Sequence, residues 1–107
     1  MTETPTIPIE ETDSRTKLLP PYVVIVHNDD DHSWTYVVMV FKKVFKYSDE
    51  KCFTLTKKIH EEGRAIVWSG SKEVAELKKE QIQGMGPDFY ASKKVNYPLV
   101  VELEPMV

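Results

Sequence analysis

Residues 22–34 read Tyr-Val-Val-Ile-Val-His-Asn-Asp-Asp-Asp-His-Ser-Trp, YVVIVHNDDDHSW. Tyr22–Val26 is an aromatic residue followed by a β-branched run, which suits a pleated, buried strand. The chain then turns polar: His27, Asn28, Asp29, Asp30, Asp31, His32 and Ser33 precede Trp34. Beyond the turn, Tyr36, Val37, Val40, Phe41, Val44 and Phe45 recur at the spacing of a helical apolar stripe. The stretch therefore joins a buried strand to a helix that packs back on it. Asp31 or Ser33 can cap that helix, and the carboxylates lie near its positive end.

Working outward, Ser48 before Asp49 and Glu50 starts a second helix. Its inner face is expected to hold Cys52, Leu55, Thr56, Ile59 and His60, and Gly63 is its left-handed stop. Arg64–Ser69 (RAIVWS) is a second strand. Ser71 caps a third helix with Val74, Ala75, Leu77 and Ile82 inward. Gly84–Pro98 is a loop by its Gly and Pro content. Leu99–Leu103 (LVVEL) is the closing strand. The order β-α-α-β-α-β, with helices on one sheet face, is a two-layer α/β sandwich. Residues 1–19, rich in Thr, Glu and Pro, bury too little apolar surface to offset chain entropy. They are expected to be a flexible tail before one domain, residues 20–107.

The 107 residues suffice for one domain. A formal net charge of -3 and a pI of about 5.6 argue against general nucleic-acid binding. The single cysteine, Cys52, forbids an internal disulfide and suits a reducing compartment. No segment has the apolar length of a signal peptide or a membrane span. A cytoplasmic protein without membrane contact is expected. Lys42, Lys43, Lys46, Lys51, Lys57 and Lys58 crowd residues 42–58 against Asp49 and Glu50. That pattern reads first as a solvated helix face and second as a docking surface for an acidic partner.

The polar turn admits several chemistries. His27, Asp29, Asp31, His32 and His60 are possible metal ligands. A short turn does not easily converge them, however, and no HExxH, paired CxxC or calcium-loop spacing is present. Cys52 sits on an apolar helical stripe, where a thiol is usually packing. Ser33 and Ser71 sit at caps, and no GxSxG elbow exists. No metal, cofactor or catalytic residue is therefore expected. The remaining reading is a cation pocket. An Asn28 carbonyl, an Asp29 carboxylate and a His60 nitrogen can accept hydrogen bonds from an ammonium, with apolar walls beside them. Capture of an N-terminal amine is a known peptide-recognition mode.

Four segments carry a resemblance. Asn28-Asp29-Asp30 after an apolar strand, Ile59–Val67 (IHEEGRAIV) and Glu73–Lys78 (EVAELK), closed by Pro98–Glu104 (PLVVELE), resemble the ClpS family in order and spacing. These are the adaptors that recognise N-degrons for the Clp protease. The likeness spans Pro20 to Glu104. It implies a three-stranded antiparallel sheet packed against three helices, and a non-enzymatic adaptor handing substrates to a Clp AAA+ ATPase of the ClpA or ClpC type. It also implies that Asn28, Asp29 and His60 hold the substrate α-amine, with Ile59, Val37 and Leu99 on the apolar wall. Glu73 and Lys78 match the surface that docks on the ATPase, and the tail matches the extension used in delivery.

The departures from the family pattern are local. Bacterial members commonly continue N-D-D-x-T-P-M, whereas this chain has two further substrate-binding candidates there, His32 in place of the Thr and Trp34 in place of a gatekeeping Met. A second pocket Met appears as Thr56. Trp34 is expected to narrow the pocket, and Thr56 to widen and polarise it. The Gly84–Pro98 loop is longer than usual, which suits a different partner. Two rival readings go with these changes. One is a ClpS-like module with altered or lost N-degron binding. The other is a small metal-dependent hydrolase built on the Asp/His turn.

Overall fold

The structure, a computed structural model, describes residues 19–106. Six elements occur in the expected order: β1 (Tyr22–His27), α1 (Trp34–Phe45), α2 (Asp49–Glu62), β2 (Arg64–Gly70), α3 (Lys72–Gln83) and β3 (Val101–Pro105). The sheet order is β2-β1-β3, and both pairings are antiparallel. The fold is thus α+β in two layers, three helices against a three-stranded sheet. The expected tail, residues 1–19, lies outside the described residues except for Leu19.

The apolar run places β1 in the middle of the sheet. Val23, Val24, Ile25 and Val26 are all buried. Val24 and Val26 join the core under the helices; Val23 and Ile25, alternating with them, face the other side. Ile25 pairs with Ile66 and Val24 with Trp68, so Val67 is an extra residue in β2. This β-bulge turns the Val67 carbonyl outward, where the Tyr47 hydroxyl donates to it at 2.7 Å.

Each helix opens on a serine whose side chain accepts from the backbone N–H three residues on: Ser33 from Tyr36, Ser48 from Lys51 and Ser71 from Val74. Such caps satisfy donors that the helix itself leaves free. Helix α1 stops at Lys46 and α2 at Gly63, both left-handed, with φ of 60° and 89°. The stripe of α1 is buried as its spacing requires, from Tyr36 to Val44, with Phe45 half-buried.

Three expectations are corrected. On α2, Cys52, Thr56 and Ile59 are buried, but Leu55 is half-buried and His60 is exposed. On α3, Ala75 and Ile82 are buried while Val74 and Leu77 are exposed. The small Ala75 lets α3 approach the sheet and α1 closely, which leaves the larger flanking residues at the rim. The closing strand begins at Val101, not Leu99. The Val100 carbonyl still accepts from His27 N at 3.0 Å, but Leu99 leaves the ladder and enters the core.

Candidate functional site

Strand β1 ends with its backbone held on two sides. His27 N donates to Val100 O, and Asn28 N donates to Gly63 O at 2.8 Å. The Gly63 stop of α2 therefore brings the Asn28 turn against the last turns of α2. Between this turn, the start of α1 and the end of α2 lies a cavity of about 240 Å³. Asn28, Asp29, Asp30, His32 and Ser33 line one side. Trp34 and Val37 from α1 and Thr56, Ile59 and His60 from α2 line the other. Residues 28–37 and 56–60, well separated in the chain, thus share one concavity. Of the expected pocket residues, Leu99 alone is absent from its lining; it is 2 % exposed, in the core.

Asp29 is the best-fixed group of the turn. Its Oδ1 accepts from Asp31 N at 2.9 Å and His32 N at 2.7 Å. Its Oδ2 lies 2.6 Å from His32 Nδ1. Burial alone raises a carboxylate pKa. Here the bonds from the His32 backbone and ring and from Asp31 N outweigh it and hold Asp29 below its usual 3.8. The group is therefore a carboxylate at neutral pH, and Oδ2 keeps acceptor capacity for a further donor.

His32 braces this arrangement. Its side chain is only 2 % exposed. Nε2 donates to the Tyr97 carbonyl at 2.8 Å, and the ring stacks on Tyr36 with centroids 5.2 Å apart. His32 thus joins Asp29 to the Gly84–Pro98 loop. His60, opposite, is exposed and meets Trp34 edge-on at 6.5 Å between centroids. Trp34 is 44 % exposed and also approaches Phe53 at 6.4 Å, so the indole forms a rim rather than a floor. Thr56 donates its hydroxyl to the Cys52 carbonyl at 2.8 Å. Its only donor is thereby spent on the helix backbone, leaving it a weakly polar wall.

Sequence reading missed Asp88. It is fully buried in the loop and accepts from Ser33 N at 2.6 Å, Ser33 Oγ at 3.2 Å and Tyr90 N at 2.8 Å. Its backbone pairs both ways with Val95. The α1 cap is therefore tied to a carboxylate 55 residues away. Tyr36 adds a second tie, donating its hydroxyl to Gly86 O at 2.5 Å. The Tyr97 hydroxyl donates to the Asp31 carboxylate. That bond, then burial and the charges of Asp29, Asp31 and Asp30, push the phenol pKa up to about 12. Asp88 is the one acidic residue of the Gly84–Pro98 sequence, and nothing local marks it as a partner of Ser33.

The remaining candidates lie elsewhere. His27 Nε2 is 2.8 Å from Glu102 Oε1, away from His32. Among the described residues, no group of three or more His, Cys, Asp or Glu is arranged to hold a metal ion. The Cys52 thiol is buried, and burial raises its pKa, with the Asp49 carboxylate adding to the shift. Glu73 is exposed in the first turn of α3. Lys78 donates from Nζ to Val44 O at 3.1 Å, with its ammonium 5.8 Å from the Phe45 ring centroid. The two residues are five apart on a helix, so they do not share one face.

Known proteins resemble this chain in sequence and in fold. A family model described as "ATP-dependent Clp protease adaptor protein ClpS" matches residues 17–102. The ATP-dependent Clp protease adapter protein ClpS of Streptomyces coelicolor is 38% identical over 84 residues, covering 73% of this chain and 88% of the relative. That of Vibrio atlanticus is 36% identical over 92 residues, covering 84% and 81%. Among solved structures, Agrobacterium tumefaciens ClpS2 bound to L-phenylalaninamide superposes with a TM-score of 0.66 at 27% identity, over 81% of this chain and 98% of that one. By family model, sequence relatives and fold alike, the chain belongs to the ClpS family of adaptor proteins of the ATP-dependent Clp protease.

Proposed function

We propose that this adaptor binds the N-terminal residue of its substrates in the cavity beneath Asn28–Trp34 and delivers them to a Clp AAA+ ATPase of the ClpA or ClpC type in the cytoplasm, without catalysis of its own. One observation carries the reading: a fixed carboxylate, an amide and an exposed imidazole meet the apolar residues Val37 and Ile59 around one small cavity. An N-terminal residue presents the complementary pair, a cationic amine and a side chain. The amine, with a pKa of about 8, is charged at neutral pH. Each hydrogen bond to it is worth roughly 1.5–3 kcal/mol, and burying a large apolar side chain adds roughly 1.5–3 kcal/mol. Micromolar or tighter binding survives the association cost.

In this reading Asn28, Asp29 and His60 hold the amine. His32 does not touch the substrate but keeps Asp29 aimed. Val37, Ile59 and Thr56 receive the side chain, and Trp34 and Phe53 form the rim. The bound L-phenylalaninamide of the Agrobacterium relative, an amine beside an aromatic group, supports the same pairing here. Glu73 and Lys78 serve the ATPase.

Fluorescence anisotropy with peptides beginning Phe, Tyr, Trp, Leu, Ile or Met, each with a free or an acetylated amine, tests the reading. Binding of free forms alone is expected. Equal binding of acetylated forms, or none at all, overturns it.

A further inference from the structure

A second concavity of about 390 Å³ adjoins the amine cavity and shares Asp30 with it. Its walls carry opposite charges. Asp30 and Asp31 of the turn and Lys93 and Lys94 of the loop line it together. Asn96 and Tyr97 lie between. The loop is not loosely placed. The Asp88–Val95 backbone pair closes its base, Asp88 anchors it to Ser33, and both Tyr97 polar atoms bond to the turn, the carbonyl to His32 and the hydroxyl to Asp31. The loop that bears the two lysines is therefore held beside the amine cavity by five hydrogen bonds to the turn and α1: Ser33 N and Oγ to Asp88, the Tyr36 hydroxyl to Gly86 O, and two at Tyr97.

We infer that this groove is a subsite for the second and third residues of the substrate, and that Lys93 and Lys94 make it prefer acidic ones. The inference rests on the amine-site reading above. A chain whose amine sits at Asn28 and Asp29 and which leaves past Asp30 enters this groove directly. The order of charge along that path fits the order of charge in such a chain. Carboxylates meet the cationic N-terminus first, and ammonium groups meet the acidic side chains after it. Asp31 accepts from the Tyr97 hydroxyl, and among the described residues no ion pair joins Lys93 or Lys94 to Asp30 or Asp31. The Lys94 ammonium stands 5.4 Å from the Phe89 ring centroid, which keeps it on the loop.

The test compares free-amine peptides with Phe first and Asp-Asp, Ala-Ala or Lys-Lys at the second and third positions, by anisotropy. Partly exposed charge pairs give roughly two- to fivefold each, so Asp-Asp should bind roughly five- to twentyfold tighter than Lys-Lys, with Ala-Ala between. The span should shrink at 1 M salt. In Lys93→Gln/Lys94→Gln, Ala-Ala affinity should stay within about twofold while the span collapses. Both lysines are exposed, so folding should be unaffected. Equal affinities for the three peptides, or a span that survives in the double variant, overturn the subsite and leave the amine site standing. Failure of every free-amine peptide to bind overturns both.

Discussion

The two ends of α1 are built to opposite electrostatic plans. At the N-terminal end, Asp29, Asp30, Asp31 and Asp88 gather around the Ser33 cap. At the C-terminal end, Lys46 turns left-handed, Lys78 donates to Val44 O, and Lys51 stands 3.9 Å over the Tyr47 ring. Each set complements the helix dipole, positive at the N-terminus and negative at the C-terminus. Yet only the first set exceeds what the helix needs. Ser33 caps the helix with Asp88 holding it, and Asp29 holds its own turn, so acceptor capacity is left over, and it faces a cavity with apolar walls. At the other end Lys78 is spent on the Val44 carbonyl, and a groove of about 470 Å³ lined by Phe45, Tyr47 and Trp68 remains with Lys51 at its edge. The two ends differ in surplus polar capacity held rigidly, not in charge alone.

The contrast is broken most directly at Asp29. Asp29→Ala should lower free-amine peptide affinity roughly hundredfold, about 3 kcal/mol, while circular dichroism shows the fold retained. A loss of less than about threefold would remove Asp29 from the amine site.

Asp88→Ala comes next and acts on stability. It leaves Ser33 N and Tyr90 N without their buried acceptor, a cost of roughly 2 kcal/mol. The thermal midpoint should fall by roughly 10 °C in a domain of this size. A midpoint within about 2 °C of the parent would mean that the loop does not rely on this carboxylate.

Acidity sharpens the comparison further. The folded-state pKa of Asp29 lies below its ordinary value, so the stability it contributes is present above that value and is lost as pH falls through the folded one. The midpoint advantage of the parent over Asp29→Asn should be constant near neutrality and vanish in strong acid. Peptide binding should also weaken above about pH 8, as the substrate amine loses its proton. An advantage that persists unchanged to about pH 2 would argue against an ionised Asp29.

The smallest effect is expected at the opposite end of α1. Glu73→Ala/Lys78→Ala should cost under about 1 kcal/mol of stability, from the lost carbonyl contact. It should leave peptide affinity within about twofold and weaken association with the Clp ATPase in a pull-down. Undiminished association would move the docking face elsewhere.

Much of this architecture is legible in the residues alone. The strand at Tyr22–Val26, the three serine caps and the Gly63 stop depend on residues within a few positions of one another. The choice of Asn28, Asp29 and His60 rests likewise on a motif of fixed spacing. The misreadings share a cause. The strand of Leu99, the burial of His60 and the inward face of Val74 and Leu77 rest on periodicity, which names a face but not the depth to which neighbours bury it.

The sequence by itself determined the elements, their order and most of the residues that line the cavity at Asn28–Trp34, because caps, turns and apolar period act over short range. Only the tertiary structure decided that His32 braces Asp29 against Tyr97, 65 residues on, that Asp88 holds the Ser33 cap, and that the loop lysines share a groove with Asp30 and Asp31. Those pairings join segments that meet only once β3 has returned beside β1. A hydrogen bond between distant residues is specified by where the backbone carries them, and no local pattern encodes that.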